Sequence, residues 1–169
     1  FAGALAIGLG AGAAMAQEVT LRCQHFLPAK GSVPAFFMAP WAEKIAADSG
    51  GRIKVELYPG MQLGGKQPAL YDQIRDGVID CGWALPAYTP GRFPESEVFE
   101  LPFMMTNPVA TAAAYWEMVE TDWQSNEYKD VKVLGAWVHG PGLIHTQDGV
   151  TKLDDMDGLT LRGPTRIIN

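Results

Sequence analysis

Between residues 19 and 84 short β-branched runs alternate with segments of helical period, and Gly or Pro marks each switch. That order constrains the fold more than any other feature. Strands joined through an intervening helix run parallel, and a parallel sheet is covered on both faces. Val19-Thr20-Leu21-Arg22-Cys23 reads as the first strand and ends at His25-Phe26. Ser32 is placed to cap a helix running to about Ser49, with Phe37, Trp41 and Ile45 on one buried stripe. Pro40 kinks or restarts that helix, and Gly50-Gly51 supplies a left-handed cap. Ile53–Leu57 alternates as a second strand, Gln67–Arg75 is a second helix with Leu70 and Ile74 on one face, and Val78–Ala84 is a third strand. Pro86, Pro90, Gly91 and Pro94 make a long, stiff loop. Asn107 or Thr106 caps a helix to about Val119. Val131–Val138 reads as a fourth strand, Asp154–Asp157 as a turn or short helical piece, and Leu159–Leu161 as a short strand. The expected class is α/β with a mainly parallel sheet.

The front of the chain has a different character. Phe1–Ala16 carries no charge and ends in Ala14-Met15-Ala16, followed by Gln17-Glu18. This matches the apolar region and cleavage site of a secretory signal, cut after Ala16, with a basic leader expected ahead of Phe1. It is too short and too rich in Gly and Ala to span a membrane. The mature chain is therefore expected to be exported to the periplasm. A net charge of −6 over 169 residues argues against a nucleic-acid surface, which would be basic. It leaves anion binding open, because a buried Arg outweighs distant charges that salt screens. Cys23 and Cys81 either pair in an oxidising compartment or stay as buried thiols. Thiols are the expectation, because both lie inside strands and a bridge demands special geometry.

Three motifs imitate sites. Gly60-Met61-Gln62-Leu63-Gly64-Gly65-Lys66-Gln67 nearly matches a phosphate-binding loop, but Gln67 stands where a hydroxyl must meet magnesium. Gly8-Leu9-Gly10-Ala11-Gly12 has no strand before it. His139 and His145 flank Gly140-Pro141-Gly142 with no third ligand at matching spacing. No metal, cofactor or catalytic residue is expected. The rival readings are a small exported enzyme acting through Cys81 or a histidine, and a periplasmic ligand-sensing module.

Parallel sheets bind ligands beyond the carboxyl ends of their strands. Those ends carry His25-Phe26, Trp83, His139 and Arg162. Arg162 precedes Gly163-Pro164, and its planar fork suits both oxygens of a carboxylate. The competing reading is an ion pair with Asp154, Asp155 or Asp157. Phe26, Trp83, Tyr88 and Trp137 offer either aromatic walls for a small amphipathic ligand or core packing. His25 and His139 can donate to a ligand or cap backbone groups. Arg92 can reach a cleft from its loop or stay exposed, and Thr165 completes the candidate ligand contacts.

Several runs resemble the solute-binding subunits of tripartite ATP-independent periplasmic (TRAP) transporters, the DctP-like family. They are Glu43-Lys44-Ile45, Ser49-Gly50-Gly51-Arg52-Ile53-Lys54-Val55, Tyr58-Pro59-Gly60-Met61-Gln62-Leu63-Gly64-Gly65, Asp76-Gly77-Val78-Ile79-Asp80, Phe99-Glu100-Leu101-Pro102-Phe103 and Asp157-Gly158-Leu159-Thr160-Leu161-Arg162. The resemblance implies a two-lobe fold like that of type II periplasmic binding proteins. Its lobes close on an organic acid and deliver it to membrane permease subunits for ion-gradient-driven uptake. On that scheme residues 17–139 are lobe I, residues 140–169 begin lobe II, and Arg162 takes the family's carboxylate-clamping position. The second Arg of sialic-acid-type members has no counterpart in Gly140-Pro141-Gly142-Leu143. That departure favours a compact monocarboxylate, aromatic or keto, over a sugar acid.

Overall fold

Val19–His25 forms strand β1, and it lies at the centre of the sheet. A computed structural model describes residues 18–165. The expected signal segment lies outside the described residues. The described residues divide into two units: one holds residues 18–65 together with Ile79–Trp83, the other Lys66–Val78 together with residues 84–165.

In the first unit β1 pairs in parallel with β2 (Ile53–Tyr58) on one side and β3 (Cys81–Trp83) on the other, giving the order β2-β1-β3. Helix α1 (Ala39–Asp48) crosses between β1 and β2 and packs against β2. A central strand is enclosed on both edges, and the last three residues of β1, Cys23, Gln24 and His25, are all buried. Gly50 and Gly51 stop α1 as expected. Both have positive φ, and the Gly51 N–H reaches back to the Ala46 carbonyl at 2.8 Å, closing a Schellman-type cap.

Of the expected stripe, Trp41 and Ile45 are half-buried on α1, but Phe37 is not. Phe37 is 48% exposed, and Pro34 and Met38 turn inward instead. The cause is a π-helical turn over Pro34–Met38, where the Ala39 N–H bonds the Pro34 carbonyl. Pro40 has no N–H to offer the carbonyl four residues back. The wider turn holds one extra residue, so the inward phase moves from Phe37 to Met38.

The second unit contains α2 (Leu70–Arg75), α3 (Pro94–Glu97) and α4 (Pro108–Met118). Asn107 caps α4: its Oδ1 accepts from the Val109 and Ala110 N–H groups at 3.0 and 3.1 Å, worth about 1 kcal/mol. Phe93, Tyr115, Val119, Trp123 and Tyr128 form the core. Tyr115 meets Trp123 edge to face at 5.1 Å, an arrangement the ring quadrupoles favour. The Tyr115 and Tyr128 hydroxyls satisfy each other at 2.8 Å, and burial pushes both phenols above their ordinary value. The Glu127 carboxylate accepts from the Ser96 N–H at 3.2 Å and fixes the start of α3.

The expected fourth strand, Val131–Val138, and the short strand Leu159–Leu161 do not form among the described residues. A strand needs a partner for its N–H and C=O groups. Here the Gln124 side chain takes that place, donating to the Val131 carbonyl at 2.8 Å and accepting from the Val133 N–H at 2.9 Å. Val131, Val133, Ala136 and Val138 still pack on the aromatic core, which accounts for the apolar character of the segment. The short helical piece does form, as a 3-10 turn over Leu153–Met156.

Candidate ligand-binding site

Parallel register sets the chemistry at the carboxyl ends of β1 and β3. Cys23 lies opposite Cys81, Gln24 opposite Gly82, and His25 opposite Trp83. One residue beyond β1, Phe26 stacks on Trp83, with ring centroids 5.1 Å apart and planes 24° from parallel. Three sequence-predicted residues, His25, Phe26 and Trp83, are therefore brought to one strand-end platform.

His25 is only 1% exposed, and its Nδ1 is buried without a hydrogen-bond partner. Burial lowers the imidazole below its ordinary value, and a backbone hydrogen bond with Leu27 offsets part of that. The folded state thus favours neutral His25. Its contribution to stability is fully present above about pH 6.5, the unfolded value. It is lost as pH falls through the depressed folded value. The difference in unfolding free energy between wild type and His25→Gln should be flat above that pH and shrink below it, measured by denaturant titration. A difference independent of pH would show that burial of the imidazole is not coupled to protonation.

The two cysteines correct the expectation of free thiols. Cys23 and Cys81 are joined as a disulfide. They are direct register partners on adjacent strands, with Cα atoms 4.4 Å apart, and that proximity is invisible in a local pattern. A bridged Cys81 carries no thiolate, so the enzyme reading loses its cysteine nucleophile.

Sequence reasoning missed Gln24. It is fully buried, and its amide holds the glycine-rich loop after β2: Oε1 accepts from the Leu63 N–H at 2.6 Å, and Nε2 donates to the Gly64 carbonyl at 3.3 Å. The available signal was a polar side chain within an enclosed strand, which implies a hydrogen-bonding duty.

The other candidates belong to the second unit. Arg92 lies over the Tyr71 ring at 4.4 Å and pairs with Asp72 at 2.8 Å. The Arg92 guanidinium holds the Asp72 carboxyl below its usual range. Tyr71 and Thr89 line a cavity of about 20 Å³, room for about one water. Tyr88 is half-buried in a 3-10 turn, Pro86–Tyr88. His139 is exposed, with its Nδ1 2.6 Å from the Gly140 carbonyl. Thr165 is buried and donates to Glu100 Oε2 at 2.9 Å.

Arg162 is exposed and does not follow a strand, so the strand-end argument for it and for His139 does not hold. Two of the three aspartates proposed as its partners are engaged elsewhere. Asp154 faces Lys152 at 3.6 Å, and Asp155 accepts from Thr151 and from the Lys152 N–H. Among the described residues Arg162 has no ion-pair partner. The described residues hold no group of three or more metal-ligating side chains, and none of their helices is long and apolar enough to cross a membrane.

Residues 25–168 match the model of the bacterial extracellular solute-binding protein family 7, DctP. The chain belongs to that family. Among solved DctP-type structures, a marine metagenome TRAP solute binding protein specific for aromatic acid ligands, in complex with metahydroxyphenylacetate, is 50% identical with a TM-score of 0.84. The match covers 89% of this chain and 48% of that one. A TRAP solute binding protein from Rhodoferax ferrireducens T118, in complex with copurified benzoate, is 49% identical with a TM-score of 0.80, covering 87% and 46%. The outer membrane transporter protein TsaT of Comamonas testosteroni is 29% identical over 148 residues, 87% of this chain and 43% of that protein. This DctP chain thus spans about half the length of the relatives it matches.

Proposed function

We propose that this DctP-family chain is part of a periplasmic receptor that captures an aromatic monocarboxylate and passes it to membrane permease subunits for ion-gradient-driven uptake. The observation that carries the reading is the Phe26–Trp83 stack at the strand ends, beside a buried His25 whose Nδ1 has no hydrogen-bond partner among the described residues. Aromatic faces bind a ring, and a neutral imidazole supplies a hydrogen bond without adding charge. Arg162 clamps the carboxylate: among the described residues its guanidinium has no counter-ion, and its fork matches two carboxylate oxygens. The binding of aromatic acids by relatives at 49–50% identity supports the same ligand class. Tyr88, Arg92, His139 and Thr165 make secondary contacts to the ligand. Residues 17–139 make lobe I of the receptor and residues 140–169 begin lobe II, with the signal segment removed after Ala16.

A thermal-shift panel on the full-length protein tests this. Benzoate and 3-hydroxybenzoate should raise the melting temperature, by about 2.7 kcal/mol of added stability at a hundredfold excess over Kd. Glucuronate should not, and every compound should be recovered unchanged. Stabilisation by glucuronate alone, or consumption of a compound, contradicts the proposal.

A further inference from the structure

The aromatic platform rests on a strand of only three residues. β3 contributes Cys81, Gly82 and Trp83 to the sheet, and the chain leaves it immediately afterwards. Its entry is anchored by Asp80, whose carboxylate accepts from the Arg22 N–H at 2.8 Å and whose own N–H donates to the Arg22 carbonyl at 3.1 Å. The next register position is the Cys23–Cys81 bridge, and two residues further along each strand stand His25 and Trp83. Side chains two apart on a strand share a face, so the bridge lies one pleat from the platform on the same face. A one-residue slip of so short a strand would turn Trp83 to the opposite face and abolish its stack on Phe26. A covalent tie at Cys81 forbids that slip.

We infer that Cys23 and Cys81 are positioning residues for the ligand platform: their disulfide locks β3 in the register that keeps Trp83 stacked on Phe26, so the oxidation state of the pair sets affinity for an aromatic acid. This rests on the proposed function above. Cys23 is 1% exposed and neither sulfur needs to touch ligand, so the effect acts through Trp83. The control is built into the chemistry. A dithiol reductant breaks the sulfur–sulfur bond, both cysteines leave as thiols, and the two electrons come from the reductant, which closes into its own cyclic disulfide.

The test compares oxidised wild type, dithiol-reduced wild type held at low temperature, and Cys23→Ala/Cys81→Ala. Benzoate affinity is measured by calorimetry, and the 5-fluorotryptophan resonance of Trp83, assigned with Trp83→Phe, is followed by fluorine NMR. The expected result is an affinity loss of about two- to tenfold, the range of one aromatic stacking contact. It should be accompanied by a shifted or broadened Trp83 resonance while far-UV ellipticity is retained, and reoxidation should restore both. Unchanged affinity overturns the inference, as does lost affinity with an unmoved Trp83 resonance. Global unfolding of both reduced forms overturns it too, because the bridge then holds the fold and not the platform. If oxidised wild type binds no aromatic acid, the proposed function itself fails. If it binds and reduction changes nothing, only this inference falls.

Discussion

Arg162→Ala in the full-length protein is expected to weaken benzoate binding by roughly a hundred- to several-thousandfold. The size depends on whether the carboxylate pair is closed off from water. Removing one partner of a desolvated ion pair costs about 3–5 kcal/mol, because the other charge is left buried and alone. A pair open to solvent is worth no more than about 1 kcal/mol, roughly fivefold. Arg162 is exposed, and Asp154 and Asp155 pair with Lys152 and Thr151, so mutation should leave stability nearly unchanged. Arg162→Lys should fall between the two, keeping the charge and losing the planar fork. Isothermal titration with benzoate reads all three proteins. A loss under about fivefold would remove Arg162 as a desolvated clamp.

Loss of the Cys23–Cys81 disulfide is expected to lower stability by about 4 kcal/mol, from the loop-closure entropy of 58 residues. The bridge acts chiefly on the unfolded chain, which it keeps compact. Cys23→Ala/Cys81→Ala should therefore show a lower denaturation midpoint and also a steeper denaturant dependence, since more surface is exposed on unfolding. For a chain of this size the melting temperature should drop by roughly 8–16 °C. Cys23 is buried, so a small packing loss adds to the entropic effect. Equal stability of variant and wild type under oxidising conditions would mean the bridge does not form in solution.

The parallel sheet was legible in the sequence because local patterns encode it. Alternation in Ile53–Leu57, the glycine pair after α1 and the Asn107 cap each depend on residues a few positions apart. What was not legible depended on partners far away in the chain. Cys23 and Cys81 lie 58 residues apart, and only the register of β1 against β3 makes them neighbours. Phe37 was misplaced because Pro40 forces a π-turn that α-helical counting does not contain. Val131–Val138 has strand composition, yet no ladder forms among the described residues, and at Val131 and Val133 the Gln124 side chain takes the backbone hydrogen bonds. At the site, Phe26 and Trp83 were placed at strand ends from composition, but their stacking follows from register. Gln24 was overlooked because its task, holding Leu63 and Gly64, lies in a loop that reads only as glycine-rich.

Capture of an aromatic monocarboxylate is the central claim, and a paired titration tests it most directly. Full-length protein stripped of endogenous ligand is titrated with benzoate and with glucuronate by calorimetry, and the benzoate is then recovered and identified by mass spectrometry. The account predicts saturable one-to-one binding of benzoate, recovered unaltered, and no measurable heat from glucuronate. Tighter binding of glucuronate than of benzoate, or chemical conversion of benzoate, would contradict it.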